Sequence, residues 1–362
     1  MRPAEVLTVD EALDELALYL RPPGQGIYAV STGRRELLER TKRYLGAELP
    51  DWRAHLEGLK QGPRVALLAV PSDAGAGIVR GAAHGPMAIR EELGVAPAFE
   101  LGDVFTVPHF IEDAMLSSAQ LAATRASIYS AVPSELRAAL PVSPIDLTAR
   151  AYELLGRVSP ATRIHLLGGD HTVAYGAILG LFSRSASTVG IVHFDAHTDL
   201  LGERLGVRIC FATWAHHANA LIGRGQRLIQ LGIRASARGK LHWESAEDVR
   251  QVWAEEARGL APEELGGLVA EHLRAVGAQR IYVSNDLDGT DSRWAAACGT
   301  PEPDGLSPEA VLGVLDALDG FEVLGADLVE LAPGLSLDRE ASRTSIETAA
   351  RYVRRQLQLL GR

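Results

Sequence analysis

Residues 188–200 read TVGIVHFDAHTDL. The first half is an uncharged, β-branched run of the kind that forms a strand buried on both faces. The second half sets Asp195, His197 and Asp199 at alternate positions. Residues two apart in an extended segment point to one side, so three ionisable groups would converge where the flanking residues are dry. His193 shares that face, and spacing leaves it two readings: a further donor, or a core histidine hydrogen-bonded to backbone, of which we take the second.

The pattern around this stretch repeats along the chain. Residues 64–70, 163–167, 227–233, 280–286 and 321–328 are further short apolar runs bounded by Gly, Asp or Pro, and are read as strands. HGPMAIREEL, VAYGAILGLF, WESAEDVRQVWAEEA, SPEAVLGVLDAL and TSIETAARYVRRQLQLL between and after them read as helices. Strand and helix in alternation predict a mostly parallel sheet with helices on both faces, a three-layer α/β/α fold. Ahead of the first strand, VDEALDELALYL and STGRRELLERTKRYLG predict two amphipathic helices with Asp and Ser/Thr caps, an N-terminal helical extension over residues 1–62.

In such a sheet ligands sit at the carboxyl ends of the strands. Those ends carry Asp170 and His171; Asp195, His197 and Asp199; Asp286, Asp288 and Asp291; and Asp327 and Glu330. So many like charges on one dry rim would repel unless cations lay among them. Carboxylate oxygen with a minority of imidazole suits a hard divalent ion that tolerates nitrogen, which favours manganese. The donors are too many for one ion, so two are expected, roughly 3.5–4 Å apart. GGDHT alone also reads as a turn and helix cap. DLDGTD is not an EF-hand loop, because the twelfth position from Asp286 is Ala297 rather than Glu.

Composition bounds the rest. With 362 residues, 47% hydrophobic and 23% charged, the chain can bury one large α/β domain or two small ones. A net charge of −10 argues against a nucleic-acid partner and is compatible with a small cationic substrate. No apolar run approaches the roughly 20 residues of a membrane span, and the N-terminus is too acidic for a secretory signal. Cys210 and Cys298 form no disulfide framework or thiolate cluster, and the expected location is the cytoplasm.

In this order and separation, GGDHT, DAHTD and SNDLDGTD resemble the three metal-binding signatures of the ureohydrolase family, which holds arginases, agmatinases and other guanidino-compound hydrolases. AGIVRGAAHGPMAIREEL, ELGDV, GTPEPDGL and GADLVELAP extend the likeness over residues 63–362. The resemblance implies an arginase-like catalytic domain there, with the extension of residues 1–62 outside it. It implies that His171, Asp195, Asp199 and Asp286 hold one manganese and Asp195, His197, Asp286 and Asp288 the second, with nickel or another divalent ion as the alternative. Asp195 and Asp286 would bridge, leaving room for a hydroxide that attacks the guanidinium carbon. Asp199 would carry its proton to the leaving amine, and Glu330 would pair with the guanidinium. A homo-oligomer, trimer or hexamer, is implied as well.

Departures from the family pattern bear on the substrate. Ser292 stands where many members have Pro after the third signature, and Leu201 where arginases have Asn, which makes arginine a poor substrate. Cys210 aligns with a His that shuttles protons in many members, and is expected near the metal pair as a perturbed thiol. His216 and His217 are read as solvated residues at the start of a helix. The expected activity is hydrolysis of agmatine, a guanidino acid or guanidine, with formimino-compound hydrolysis or a catalytically silent partner subunit as alternatives.

Overall fold

The apolar runs assemble into one sheet. The computed structural model describes residues 2–28, 33–46, 51–77, 79–94, 97–182 and 188–362. Among the described residues the strands are β1 (Leu20–Arg21), β2 (Val65–Val70), β3 (Phe99–Val104), β4 (Arg163–Gly168), β5 (Val189–Phe194), β6 (Leu228–Ile233), β7 (Arg250–Trp253), β8 (Arg280–Asn285) and β9 (Glu322–Leu328). They lie in the order β1-β3-β2-β4-β9-β8-β5-β6-β7. All neighbours are parallel except β1, which runs antiparallel to β3.

Alternate residues of β2 enter two cores. Ala66, Leu68 and Val70 pack with the helices Val9–Tyr19, Pro144–Val158 and Thr172–Phe182 on one face. Val65, Leu67 and Ala69 pack with Pro262–Ala275, Pro308–Ala317 and Arg339–Leu360 on the other. Burial on both sides is why the central strands read as continuous apolar runs instead of alternating. No helix among the described residues is long and apolar enough to cross a membrane.

Chain order matters for the site. After β4 the chain leaves a gap that β8 and β9 fill later, so β4, β9, β8 and β5 become neighbours. Phe194 pairs with Asn285 in register, and Asp286 N donates to Phe194 O at 2.9 Å. The residues that follow these two strands therefore leave the sheet level with each other.

Two readings need correction. WESAEDVRQVWAEEA is not one helix: Lys240–Glu247 ends at Asp248, whose φ of 52° is left-handed, and β7 follows before a short turn of helix at Ala254–Ala257. Asp tolerates that conformation better than most side chains and so ends the helix. Gln251 then points inward, which lets the segment extend the sheet beyond β6. The first 62 residues are also more than helices. Helix Val9–Tyr19 carries a Thr8–Glu11 capping box and buries Leu13, Leu16 and Tyr19, and β1 adds a strand to the sheet edge. The second helix spans Arg34–Leu45; the proposed caps Ser31 and Thr32 lie outside the described residues.

A buried ion cluster ties this segment to the sheet. Arg90 Nη1 reaches Asp103 Oδ1 at 2.5 Å, and Arg90 Nη2 reaches Glu100 Oε1 at 2.8 Å. Asp103 Oδ2 accepts from Gly24 N and Gly26 N at 2.7 and 3.1 Å. Removing one partner of a buried pair leaves an uncompensated charge, so Arg90→Met is expected to cost about 3–5 kcal/mol. Urea unfolding checks this; a loss below about 1 kcal/mol would show the cluster is not holding the segment.

Candidate functional site

Each proposed ligand leaves a strand end. Gly168 closes β4, and the next glycine lets the turn run against the neighbouring loop: a Cβ on Gly169 would lie 1.7 Å from Ser72 O. Asp170 then accepts from Thr172 N at 2.8 Å and Gly75 N at 2.9 Å, so the cap reading of GGDHT holds for Asp170. His171 turns the other way. Its Nδ1 lies 2.9 Å from Asp286 Oδ2, 3.2 Å from Asp195 Oδ2 and 3.5 Å from Asp199 Oδ2. On the far side of Asp195, His197 Nδ1 lies 3.3 Å from Asp195 Oδ1 and 3.1 Å from Asp288 Oδ2. Asp195 thus belongs to two groups of ligand-type atoms.

The protonation state of His171 tests whether a cation fits. Its Nε2 lies 3.0 Å from Ser284 Oγ, and that hydroxyl donates to Asp327 at 3.0 Å. Nε2 therefore carries the proton, and buried Nδ1, which has no hydrogen-bond partner, turns a lone pair toward three carboxylates. Such an arrangement is stable only with a cation between them or an extra proton on the ring. Oxygen donors with a minority of nitrogen suit a hard divalent ion.

Electrostatics point the same way. Burial, then the charge of Asp195, raises Asp199 far above the usual carboxylate range, and burial, then Asp288 and Asp195, does so for Asp286. Burial opposes ionisation of Asp195 too, yet the imidazoles of His171, His193 and His197 beside it outweigh that and hold Asp195 well below that range. Burial lowers the two imidazoles, but the surrounding aspartates prevail and bring His171 to about 9 and His197 to about 12. Asp199 and Glu330 also have left-handed backbones, with φ of 53° and 65°. Such strain is common where a side chain must be aimed.

Several supporting residues escaped the sequence reading. Trp214 Nε1 donates to Asp199 Oδ2 at 2.9 Å, and its ring lies against His171 with centroids 4.4 Å apart. His193 is a core residue, but it bonds side chains, not backbone. Its Nε2 lies 2.9 Å from Asp195 Oδ2, and its Nδ1 accepts from Gln230 Nε2 at 3.0 Å. Behind Gln230, Gln251 donates to Gln230 Oε1 at 2.8 Å and accepts from Trp253 Nε1 at 2.9 Å. An indole N–H can only donate, so this chain has one direction and puts the His193 proton on Nε2, facing Asp195. The available signal was a polar residue inside an apolar strand: Gln230 in LIQLGI, Ser284 in RIYVSN.

The carboxylates open into a cavity of about 370 Å³ lined by His197, Asp199, Asp286, Asp288, Glu330 and Arg204 among others. Glu330 Oε1 accepts from His171 N at 2.8 Å. Cys210 does not line this cavity; it is buried with Sγ 3.9 Å from Thr213 Oγ1, and its neighbour Phe211 forms the wall. His216 bonds Glu247 at 2.9 Å, and His217 lies 3.0 Å from the carbonyls of Gly202 and Arg208, so neither faces the carboxylates. Asp291 accepts from Arg293 N at 2.9 Å and Gly305 N at 3.1 Å, and Asp327 from Asn285 N at 3.1 Å; both are occupied in holding backbone.

Residues 63–357 match the Arginase family. The chain belongs to the arginase family. It is 30% identical over 281 residues to the mitochondrial guanidino acid hydrolase of Homo sapiens, covering 76% of this chain and 74% of that protein. It is 34% identical over 172 residues to the mitochondrial agmatinase of Gallus gallus, covering 46% of this chain and 49% of that one. Among solved structures, the proclavaminate amidino hydrolase from Streptomyces clavuligerus shares the fold, with a TM-score of 0.64 and 23% identity over 83% of this chain and 92% of that one. Like other members of the arginase family, the protein is a hydrolase of non-peptide C–N bonds.

Metal binding by this arginase-family site should release protons. An imidazolium has no lone pair for a metal, so a ligand role for His171 and His197 would cost each of them a proton. Because their metal-free values are raised to about 9 and about 12, manganese affinity is expected to rise as pH goes from 6 to 8. Calorimetry in buffers of different ionisation enthalpy reads the protons released. An affinity flat across that range would contradict the assignment.

Proposed function

We propose that the protein is a binuclear metal hydrolase that cleaves a small guanidino compound and releases urea. The observation that carries this reading is Asp195 shared between two groups of ligand-type atoms, with Glu330 lining the same cavity. His171, Asp195, Asp199 and Asp286 would hold one ion and Asp195, His197, Asp286 and Asp288 the other; the donor chemistry favours manganese, with nickel as the alternative. Such ions, when bound, make hydroxide available near neutral pH.

The chain's own groups do the rest. Glu330 pairs with the planar guanidinium and fixes which face of its carbon meets the attacking oxygen. A C–O bond forms at that carbon, the C–N bond to the substrate's tail breaks, and the leaving amine needs a proton. Asp199 is suited to carry it: Trp214 holds Oδ2, which leaves Oδ1 free to take up and pass on a proton. Trp214 and His193 orient Asp199 and Asp195 and exclude water from behind them.

The test is product identity. Manganese-loaded protein is expected to release urea from a panel of guanidino compounds and to lose that activity on chelation. Glu330→Gln should lower kcat/KM roughly 10- to 100-fold, the worth of a hydrogen bond to a charged group. Asp195→Ala should abolish turnover and reduce bound metal below two ions per chain. Formamide from a formimino compound, with no urea from any guanidino compound, would assign the site to the other chemistry.

A further inference from the structure

Four acids, Asp199, Asp286, Asp288 and Glu330, line the cavity, and Arg204 is the one permanent cation among its described lining residues. It is held there by construction. Arg204 N donates to Val207 O and Val207 N to Arg204 O, both at 2.9 Å, which closes a two-residue hairpin. Leu205 and Gly206 between them have φ of 53° and 80°, the paired left-handed conformations of a tight type I′ turn. Leu205, 97% exposed, points into solvent. The Arg204 guanidinium instead lies over the ring of Phe211, 4.9 Å from its centroid, and Phe211 is itself a wall of the cavity. Phe211 N in turn donates to Gly75 O at 3.1 Å.

Among the described residues no carboxylate pairs with Arg204, and its guanidinium donates no hydrogen bond. Other arginines are engaged. Arg80 lies 4.0 Å from Asp73, Arg208 pairs with Glu112, and Arg293 lies 2.9 Å from Asp291. Arg234 is spent on backbone carbonyls, including Asp288 O at 2.7 Å. A preorganised guanidinium left free at the exposed side of an anionic cavity is a receptor for a carboxylate and repels an ammonium.

We propose that Arg204 reads the tail of the substrate, and that the substrate is an ω-guanidino carboxylic acid in preference to a guanidino amine. This rests on the guanidino-hydrolase reading above, with Glu330 taking the guanidinium end. Family membership does not decide the point, because relatives named for a guanidino acid and for agmatine both match the chain. Arg204 touches the tail and not the reacting carbon, so it acts as a specificity residue: its loss raises KM for the acid more than it lowers kcat.

The experiment compares 4-guanidinobutyrate with agmatine, which carry the same guanidino group on four-carbon chains ending in carboxylate and ammonium. Wild type is expected to favour the acid in kcat/KM by at least about tenfold. Arg204→Glu should reverse the preference, and Arg204→Lys should keep its sign while losing part of its size. Bound metal, measured in all three proteins, shows that the centre is intact. A wild-type preference for agmatine, or a ratio unchanged within about threefold in Arg204→Glu while both compounds are hydrolysed, overturns the assignment of Arg204 and leaves the guanidino-hydrolase reading standing. Hydrolysis of neither compound, with no other guanidino compound cleaved, overturns that reading and this inference with it.

Discussion

Mutual repulsion of carboxylates at the centre of the sheet is the constraint around which the rest of this protein is arranged. Asp195, Asp199, Asp286 and Asp288 are all buried, and burial together with the neighbouring acids makes Asp199 and Asp286 costly to ionise. Their positions are nevertheless fixed by backbone they cannot escape. Asp195 N donates to Leu231 O at 3.0 Å and Asp286 N to Phe194 O at 2.9 Å, so the sheet's own ladder carries both residues to the rim. The loop after β8 is cross-tied to the loop after β5, with Ala196 N donating to Asp288 Oδ1 at 3.0 Å. A sheet with a well-packed core on each face is rigid enough to hold like charges together, and cations are the natural counterpart to the energy stored there.

A second constraint sets the direction of the hydrogen bonds behind the rim. Trp253 on β7, Gln251 on β7, Gln230 on β6 and His193 on β5 form a chain that ends at Asp195. Because the indole can only donate, each amide and the imidazole are locked in one orientation, and Asp195 receives a proton donor from behind while its other contacts face the cavity. This gives the edge strand β7 a purpose that propensity does not supply. On the other side, Ser284 and Asp327 do the same for His171 by fixing its proton on Nε2.

What was legible in the sequence follows from which signals are local. The end-of-strand rule placed His171, Asp195, Asp286, Asp288 and Glu330 near one another, because it depends only on strand direction; period-two spacing did not apply to DAHTD, since β5 ends at Phe194 and Asp199 is left-handed. Strand order was not legible: nothing local says that β9 and β8 insert between β4 and β5. β7 was lost inside a helical reading because EDVRQVWAEE carries enough helix formers to hide a strand that exists only through pairing with β6. His193 was given backbone partners because its true ones, Gln230 and Asp195, are set by register. Cys210 was expected near the mouth of the cavity by alignment through a loop, where one residue of offset matters: the structure gives that wall to Phe211 and turns the thiol toward Thr213.

Carboxylates alone do not distinguish framework from function here; what each accepts does. Asp170 and Asp291 each spend both oxygens on backbone N–H groups, and Asp103 divides its own between Arg90 and the amides of Gly24 and Gly26. These acids are fully compensated and close loops. Asp195, Asp199 and Asp286 instead crowd oxygens within 3.5 Å of His171 Nδ1, Asp195 and Asp288 place theirs within 3.3 Å of His197 Nδ1, and Glu330 has a single backbone donor. Asp199, Asp286, Asp288 and Glu330 thus gather their negative charge on one cavity. The one uncompensated guanidinium on the same cavity, Arg204, stands on a turn at the surface, and surface turns can vary without disturbing the sheet. A fold built this way keeps the reacting end of the substrate constant, because the sheet fixes it, and leaves recognition of the tail to residues that the core does not constrain.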